Sequence, residues 1–489
     1  MKKLIPLLLT AVFSALVSSR AEAQGTLELA NETNLPASKF SLYAVGYSTA
    51  NKVMLSVDGK FVPIPAGAGK ITGHKIGGRG GLNQIILERS NAFDGGIVLV
   101  VLVPRGRPAP YVTYTGGGSS ITQPTNPPTN TWPGKQGKFL YQFIEITQPS
   151  AKNPTIDISM VDGFIMPITA TINPSKRRPN GIAQVGQPLK RSGEPSSVNR
   201  KTIFEAYRRF LQREDISREE KAAYLALFTS SGSTGSERTG IVNPGLFIAS
   251  GSHPTSPLNS VWDETIQALF HTPGRKVGMR GDDNGYYRGT VMQVGGRWVL
   301  DFIGYTDASC TTTNGNHYRV YSPLTPDPDG SYQLNETAGC MVFANDGVFA
   351  DSSANAVISG PASVALGLQR DLVSAMNRGV ALSGGTTGLN AENSTFWGRE
   401  TNWYPKGKTY NVFSRFMHAG RVGRQPVSVL PRRPAKDAQG VLMGQSYGFG
   451  FDESPVHSLA NQPNVPSKFD PTPDGTKRVV ITFGAWGGA

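Results

Sequence analysis

The chain has 489 residues, of which 57 are Gly and 35 are Pro, while 17% are charged and 38% hydrophobic. No Gly-X-Y period accompanies the glycines, which excludes a collagen-like rod, and the modest charge excludes a charge-driven disordered chain. The formal charge is +13, but the positives are scattered in short groups (Lys176-Arg177-Arg178, Arg208-Arg209, Arg432-Arg433) and no zinc-finger, RRM or KH pattern occurs, so no nucleic-acid partner is expected.

Residues 1–23 read as a secretory signal. Lys2 and Lys3 form a basic start, Leu4 to Val17 are mostly apolar, and Ala21-Glu22-Ala23 is a small-x-small cleavage site. Cleavage after Ala23 leaves 45 basic and 34 acidic residues, a charge of +11. No later stretch approaches the ~20 apolar residues a membrane span needs. The expected location is therefore secreted or periplasmic, with no membrane attachment after cleavage.

Thr26 to Val103 is strand-like. Thr26 to Ala30, Phe40 to Tyr47 and Val53 to Val57 alternate or carry β-formers, and Asp58-Gly59 predicts a hairpin turn before Phe61-Val62. Ile97 to Val103 reads as a strand buried on both faces. Thr115 to Gly134 reads as a long surface loop. Phe139 to Thr147 and Thr155 to Val161 then pair antiparallel, and Met166 to Ile172 follows as a third strand. Thr202 to Phe228 is helical in two pieces, the second opened by the capping box Ser217-Arg-Glu-Glu220. A Ser/Gly-rich loop runs from Thr229 to Gly240. Ser260 to Phe270 and Ser363 to Val380 have helical periodicity, and Thr290 to Phe302 is a hairpin turning at Gly295-Gly296. From Asn411 strands are expected to return, ending with Arg478 to Gly484. The simplest organisation is a β unit interrupted by an α/β insertion, with no fixed-period repeat.

Several chemical motifs fail on inspection. Gly67-Ala-Gly69-Lys70 lacks the first glycine of a phosphate loop, having Ile64 there, and has Ile71 where Ser or Thr is required. His74, His253, His271, His317, His418 and His457 show no zinc-ligand spacing. Gly444-Gln-Ser446-Tyr-Gly448 matches a nucleophile elbow, but Phe449 to Asp452 and Pro455 follow as strand and turn where a helix is needed, with His457 close behind. Cys310 and Cys340 in an exported chain predict one disulfide, closing a loop of about thirty residues with ~3–4 kcal/mol of stabilisation.

The productive segment is Phe139 to Thr147. Strand alternation places Tyr141, Phe143, Glu145 and Thr147 on one face and Ile144 and Ile146 on the other. A carboxylate among aromatics is either a solvated strand charge or a proton donor. Glycoside hydrolysis needs a second carboxylate to activate water or attack the sugar. Asp157 and Asp162 both qualify. A tight hairpin centred near Ala151 sets Asp157 opposite Glu145, whereas Asp162 reaches that face only if Gly163 ends or bulges the strand.

These segments resemble the β-1,3-glucanases of glycoside hydrolase family 64, in the thaumatin-like superfamily. The resemblance runs through Phe40-Ser-Leu-Tyr-Ala-Val-Gly-Tyr47, Val57-Asp58-Gly59, Phe143-Ile-Glu-Ile-Thr147 and Ile158-Ser-Met-Val-Asp162 to Pro167. It continues in order at Val261-Trp262, Gly339-Cys340, Asp346-Gly347-Val348-Phe349, Trp403-Tyr404-Pro405, Asn411, His418 and Tyr447 to Asp452. It departs at Asp452-Glu453, where two Asp are usual, and in the loop Gln148 to Pro154. The tracts Ser175 to Arg200 and Arg421 to Ala438 look like elaborations.

The resemblance implies a mainly β fold with an α+β insertion. A thaumatin-like β-sandwich or barrel, first part 24–200, would sit beside a mixed α/β domain, 201–400, across a wide cleft, with 401–489 returning to complete the β unit. It implies Glu145 as general acid and Asp162, not Asp157, as general base, with Thr147, Tyr141, Trp403 and Asp452 binding substrate. Trp132, Trp262 and Trp397 are further candidate platforms, although tryptophans are usually mostly buried. The implied activity is endo-hydrolysis of β-1,3-glucan with inversion, releasing short laminari-oligosaccharides, by a monomer that uses no metal or cofactor. The alternative is a non-catalytic β-glucan-binding protein on the same scaffold.

Overall fold

Alternating apolar residues put the first and last long strands into one sheet. Leu27 and Leu29 on Gly25–Asn31, and Val479, Ile481 and Phe483 on Arg478–Phe483, are buried. The two strands run parallel, Thr26 opposite Arg478 through Asn31 opposite Phe483. Ile168–Ile172 pairs antiparallel on the other side of Arg478–Phe483. The chain thus returns at its end to the centre of its first sheet. The computed structural model describes residues 25–48, 50–65, 69–88, 92–114, 140–149, 153–172, 184–187, 198–230, 239–249, 255–281, 283–324, 339, 342–343, 357–383, 392–430, 436–444, 448–449, 468–469, 476 and 478–486. The signal segment, the Thr115 to Gly134 loop with Trp132, and Cys340, Ser446, Asp452 and His457 lie outside them.

The second sheet contains the expected hairpin. Its order is Lys468–Phe469, Thr155–Ser159, Leu140–Gln148, Phe93–Pro104, Phe40–Ser48, Val53–Leu55 and Phe61–Pro63, with His74–Lys75 also on Phe40–Ser48. One face packs on the first sheet. Ile144, Ile146, Ile156 and Ile158 are all buried there. The fit is close at Gly186, where an added Cβ would stand 3.2 Å from the Ile158 Cγ2 atom. The Asp58-Gly59 turn forms as expected, with Gly59 at φ 87° between the Val53–Leu55 and Phe61–Pro63 strands.

Ile168–Ile172 does follow the hairpin as a strand, but it belongs to the opposite sheet. Residues 160–167 therefore cross from one sheet to the other. Gln142 supports the crossing, its Oε1 accepting from the Ile165 and Met166 amides at 3.1 and 3.3 Å.

The insertion begins with two helices. Asn199 caps Arg200–Arg213, and the predicted box opens Arg218–Ala226. There Ser217 Oγ accepts from the Glu220 amide at 3.0 Å and Glu220 accepts from the Ser217 amide at 2.9 Å. A five-stranded meander follows, Lys276–Arg280, Tyr286–Val294, Arg297–Tyr305, Thr313–Tyr321 and Val357–Ser359. Its central turn is the predicted Gly295-Gly296, at φ 58° and 81°, which suits a tight two-residue hairpin. Asp263–Phe270 and Ala362–Asn377 are the predicted helices.

Two expectations are corrected by the fold. After Asn411 the chain forms a helix, Val412–Ala419, rather than a strand. Asn411 Oδ1 accepts from the Ser414 amide at 3.0 Å, and Val412, Phe413, Phe416 and Met417 occupy the i, i+1, i+4, i+5 positions of one buried stripe. Cys310 is a free thiol in the turn after Arg297–Tyr305, at φ 55°, with its Sγ 3.9 Å from the Ala308 carbonyl. Its expected partner, Cys340, lies outside the described residues.

Candidate functional site

The site is built on the sheet face away from the sandwich core. Glu145 lies on Leu140–Gln148 directly opposite Asp157 on one neighbour and Ile97 on the other. Ile97 is in turn opposite Tyr47, so Asp157, Glu145, Ile97 and Tyr47 form one cross-strand row on one face. Glu145 is exposed, whereas Asp157 and Tyr47 are buried. Tyr141 stands on the same face, four residues before Glu145, and is buried too.

Asp162 comes to this face from the crossing segment. Tyr141 donates its hydroxyl to Asp162 Oδ2 at 2.9 Å. The Asp162 carbonyl accepts from the Asn243 amide at 3.0 Å, and Gly163 pairs with Val242 in a short three-stranded sheet that includes Phe228–Ser230 and Thr239–Val242. Asn243 is itself fixed, donating to the Gly448 carbonyl at 3.0 Å and accepting from the Gly245 amide at 2.8 Å. The insertion thereby holds the loop that carries Asp162.

Gly163 is what permits the turn. Its φ of 147° lies in the region that favours glycine, and an added Cβ would meet the Ile241 carbonyl oxygen at 2.4 Å. Gly163→Ala is expected to destabilise the fold by about 2 kcal/mol or more. Urea denaturation of the two proteins measures this; an unchanged midpoint would show that the backbone adapts freely.

Burial sets the proton affinity of Asp162. Asp162 is half-buried, and desolvation raises its carboxyl pKa to about 6, opposed by the Tyr141 hydrogen bond. Burial pushes the Tyr47 and Tyr141 hydroxyls upward, and the nearby Asp162 charge adds to this. Both phenols therefore stay protonated at neutral pH. Such a carboxylate takes up a proton near neutrality, which suits a general base.

The other expected site residues fall in different places. Thr147 sits at a register irregularity beside Glu145, its hydroxyl donating to Asp94 Oδ1 at 3.2 Å and accepting from the Gly95 amide at 3.3 Å. Trp403 is 2% exposed. Its indole N–H donates to the Trp397 carbonyl at 2.7 Å, and the Arg378 guanidinium covers its ring at 3.9 Å, so it is a core group rather than an open platform. Trp262 and Trp397 are likewise buried.

Tyr47, Asn243 and Asp94 join the site although no sequence motif points to them directly. Strand parity with Ile97 and Glu145 is the signal for Tyr47. The Asp94-Gly95-Gly96 tripeptide is the signal for Asp94. Nothing local marks Asn243. Among the described residues no group of three or more His, Cys, Asp or Glu is placed to hold a metal ion, and no helix is long and apolar enough to cross a membrane.

No family model matches the sequence, and no curated protein matches it. Solved structures do. The β-1,3-glucanase domain (GH64) from Clostridium beijerinckii superposes with a TM-score of 0.53 at 17% identity, covering 94% of this chain and 98% of that one. The family 64 laminaripentaose-producing β-1,3-glucanase from Paenibacillus barengoltzii gives 0.41 at 13% identity, over 95% and 76%. Its complex with laminarihexaose gives 0.41 at 14%, over 97% and 79%. The Clostridium likeness establishes that this mainly β fold with several sheets and few helices is the fold of that domain.

Proposed function

We propose that this chain is a secreted β-1,3-glucan hydrolase that inverts anomeric configuration in one displacement, with Glu145 as general acid and Asp162 as general base. The observation that carries this reading is that an exposed Glu145 and an Asp162 held by the Tyr141 hydroxyl stand on one sheet face, in a fold shared with a β-1,3-glucanase domain. Glu145 protonates the departing glycosidic oxygen. Asp162 takes a proton from a water that attacks the anomeric carbon from the opposite side. Carboxyls ~6.5–9.5 Å apart leave room for that water. Two carboxylates suffice, with no metal in the reaction. Thr147 lies beside the acid for sugar contact, and endo-cleavage releases short laminari-oligosaccharides from a monomeric enzyme.

Asp157 is the rival base. Directly opposite residues have Cβ atoms roughly 4.5–5.5 Å apart, close to the ~5–5.5 Å carboxyl spacing of retaining enzymes. Its burial at 5% exposure argues against contact with a sugar. Anomeric analysis separates the two. Laminarin and curdlan are digested and the products followed by size and by proton NMR. Oligosaccharides appearing first as the α-anomer are expected; β-anomer first would reject Asp162 as base, and tight binding without products would favour a glucan-binding protein.

A pH experiment tests the Tyr141 contact. The base works only when ionised, so activity should fall as pH drops through about 6. Tyr141→Phe removes the donor that stabilises the carboxylate, so the acidic limb should move to higher pH while the plateau changes little. An unmoved limb would detach that limb from Asp162.

A further inference from the structure

We propose that a cavity of about 1000 Å³ between the Arg200–Arg213 and Val412–Ala419 helices binds a short polyanion, a molecule carrying several carboxylate or phosphate groups. The cavity shares no residue with the Glu145–Asp162 face. Its volume is at the upper end of small-molecule sites.

The rim is basic. Arg209, Arg213, Lys221, Lys406 and Arg421 line it, against Asp215. All five but Lys221 are exposed. Among the described residues none of the five makes an ion pair with a carboxylate. Two have partners, but these are carbonyls: Lys221 donates to Gln212 at 3.3 Å and Arg421 to Arg424 at 3.1 Å. Arg209 and Arg213 are four residues apart on one helix, a like-charge spacing that weakens a helix. Converging positive charge in a concave site focuses field and concentrates anions.

The floor carries its own buried ion cluster. Arg415 donates to Glu214 at 2.6 Å and to Asp437 at 3.3 Å, and Tyr410 donates to Glu214 at 2.7 Å. The two floor acids share the one guanidinium, a formal charge of −1, which is outweighed by the five rim cations set against Asp215.

The shape and lining narrow the ligand. A neutral glucan offers no charge to the rim. A concave site of this volume suits neither a flat bilayer nor a duplex. Single-stranded nucleic acid needs aromatic faces for stacking, but Phe210 packs its ring on Phe416 at 5.4 Å and Tyr410 is buried with its hydroxyl engaged. A compact oligoanion remains.

The test is calorimetric titration of the purified full chain with trigalacturonate and, separately, with inorganic tripolyphosphate. Laminarihexaose and a single-stranded oligodeoxynucleotide serve as comparisons. The Arg209→Ala/Lys406→Ala double variant alters only exposed side chains, and circular dichroism checks its fold. We expect at least one oligoanion to bind, more weakly at higher salt, and roughly 10-fold or more weakly to the double variant. Laminarin hydrolysis should be unchanged. Preference for the uronate or the phosphate identifies the source of the charge. Absence of binding by both, equal binding by the variant, or tighter binding of the oligonucleotide would each overturn the proposal, whatever the glucan experiments give.

Discussion

Asp162→Asn is expected to lower kcat on laminarin by about 10²–10⁴-fold, the usual contribution of a positioned base, while making the protein harder to unfold at neutral pH. The two effects have one cause. The Asp162 carboxyl has a pKa of about 6 in the folded chain against 3.8 for an ordinary aspartate. Its folded pKa is raised, so its favourable contribution is present below pH ~4 and is lost as pH rises through about 6. A rise of that size corresponds to at most ~3 kcal/mol, and partial solvent access reduces this to about 1–2 kcal/mol. Asparagine carries no charge to desolvate, so the variant's advantage should appear above pH ~6 and vanish below ~4. Glu145→Gln should lose activity on the same scale without that gain, because Glu145 is exposed. Initial rates and denaturation midpoints under acidic and neutral conditions, near pH ~4 and pH ~7.5, measure both. Full activity in either variant would remove that residue from the chemistry.

Arg415→Ala should give the largest loss of stability, about 3–5 kcal/mol, the cost of stranding buried charge. The Arg415 side chain is 10% exposed and bridges Glu214, at 5%, to Asp437, at 0%. Tyr410 completes the cluster, its hydroxyl 3.0 Å from Arg415 Nη1. The network joins the end of the Arg200–Arg213 helix to the Val412–Ala419 helix and to the turn at Asp437, segments about two hundred residues apart in the chain. Removing the guanidinium leaves two buried carboxylates with no cation between them. Replacing Glu214, Arg415 and Asp437 together by apolar residues should cost less than Arg415→Ala alone. Equal losses would mean that packing, not charge, is what Arg415 provides.

Much of the local structure is legible in the sequence because short-range forces set it. Ser217 and Glu220 satisfy each other's helix-end amides without help from elsewhere. Gly295-Gly296 turns a hairpin because both positions need positive φ. The short Gln148 to Pro154 connection sets the register, so counting residues correctly puts Asp157 opposite Glu145. Alternation likewise assigns Glu145 to one face and Ile144 and Ile146 to the other.

Counting alone nevertheless favours Asp157 as the partner, and only the resemblance to glucanases points to Asp162. Tertiary contacts alone explain how Asp162 comes to that face. Asp162 reaches the face because the chain leaves its sheet, Gly163 fits against Ile241, and Asn243 holds the Asp162 carbonyl, all contacts roughly eighty residues away in sequence. Trp403 looks like a sugar platform in a Trp-Tyr-Pro tripeptide, but Arg378 and Trp397 enclose it. Val412 to Ala419 is too short for periodicity to separate helix from strand, and the packing of its buried stripe decides the matter. Propensity and turn chemistry act between neighbours and can be read from their order. Burial, desolvation and the choice of sheet depend on distant groups that meet only in the folded chain, and at Asp162 those groups also set the proton affinity.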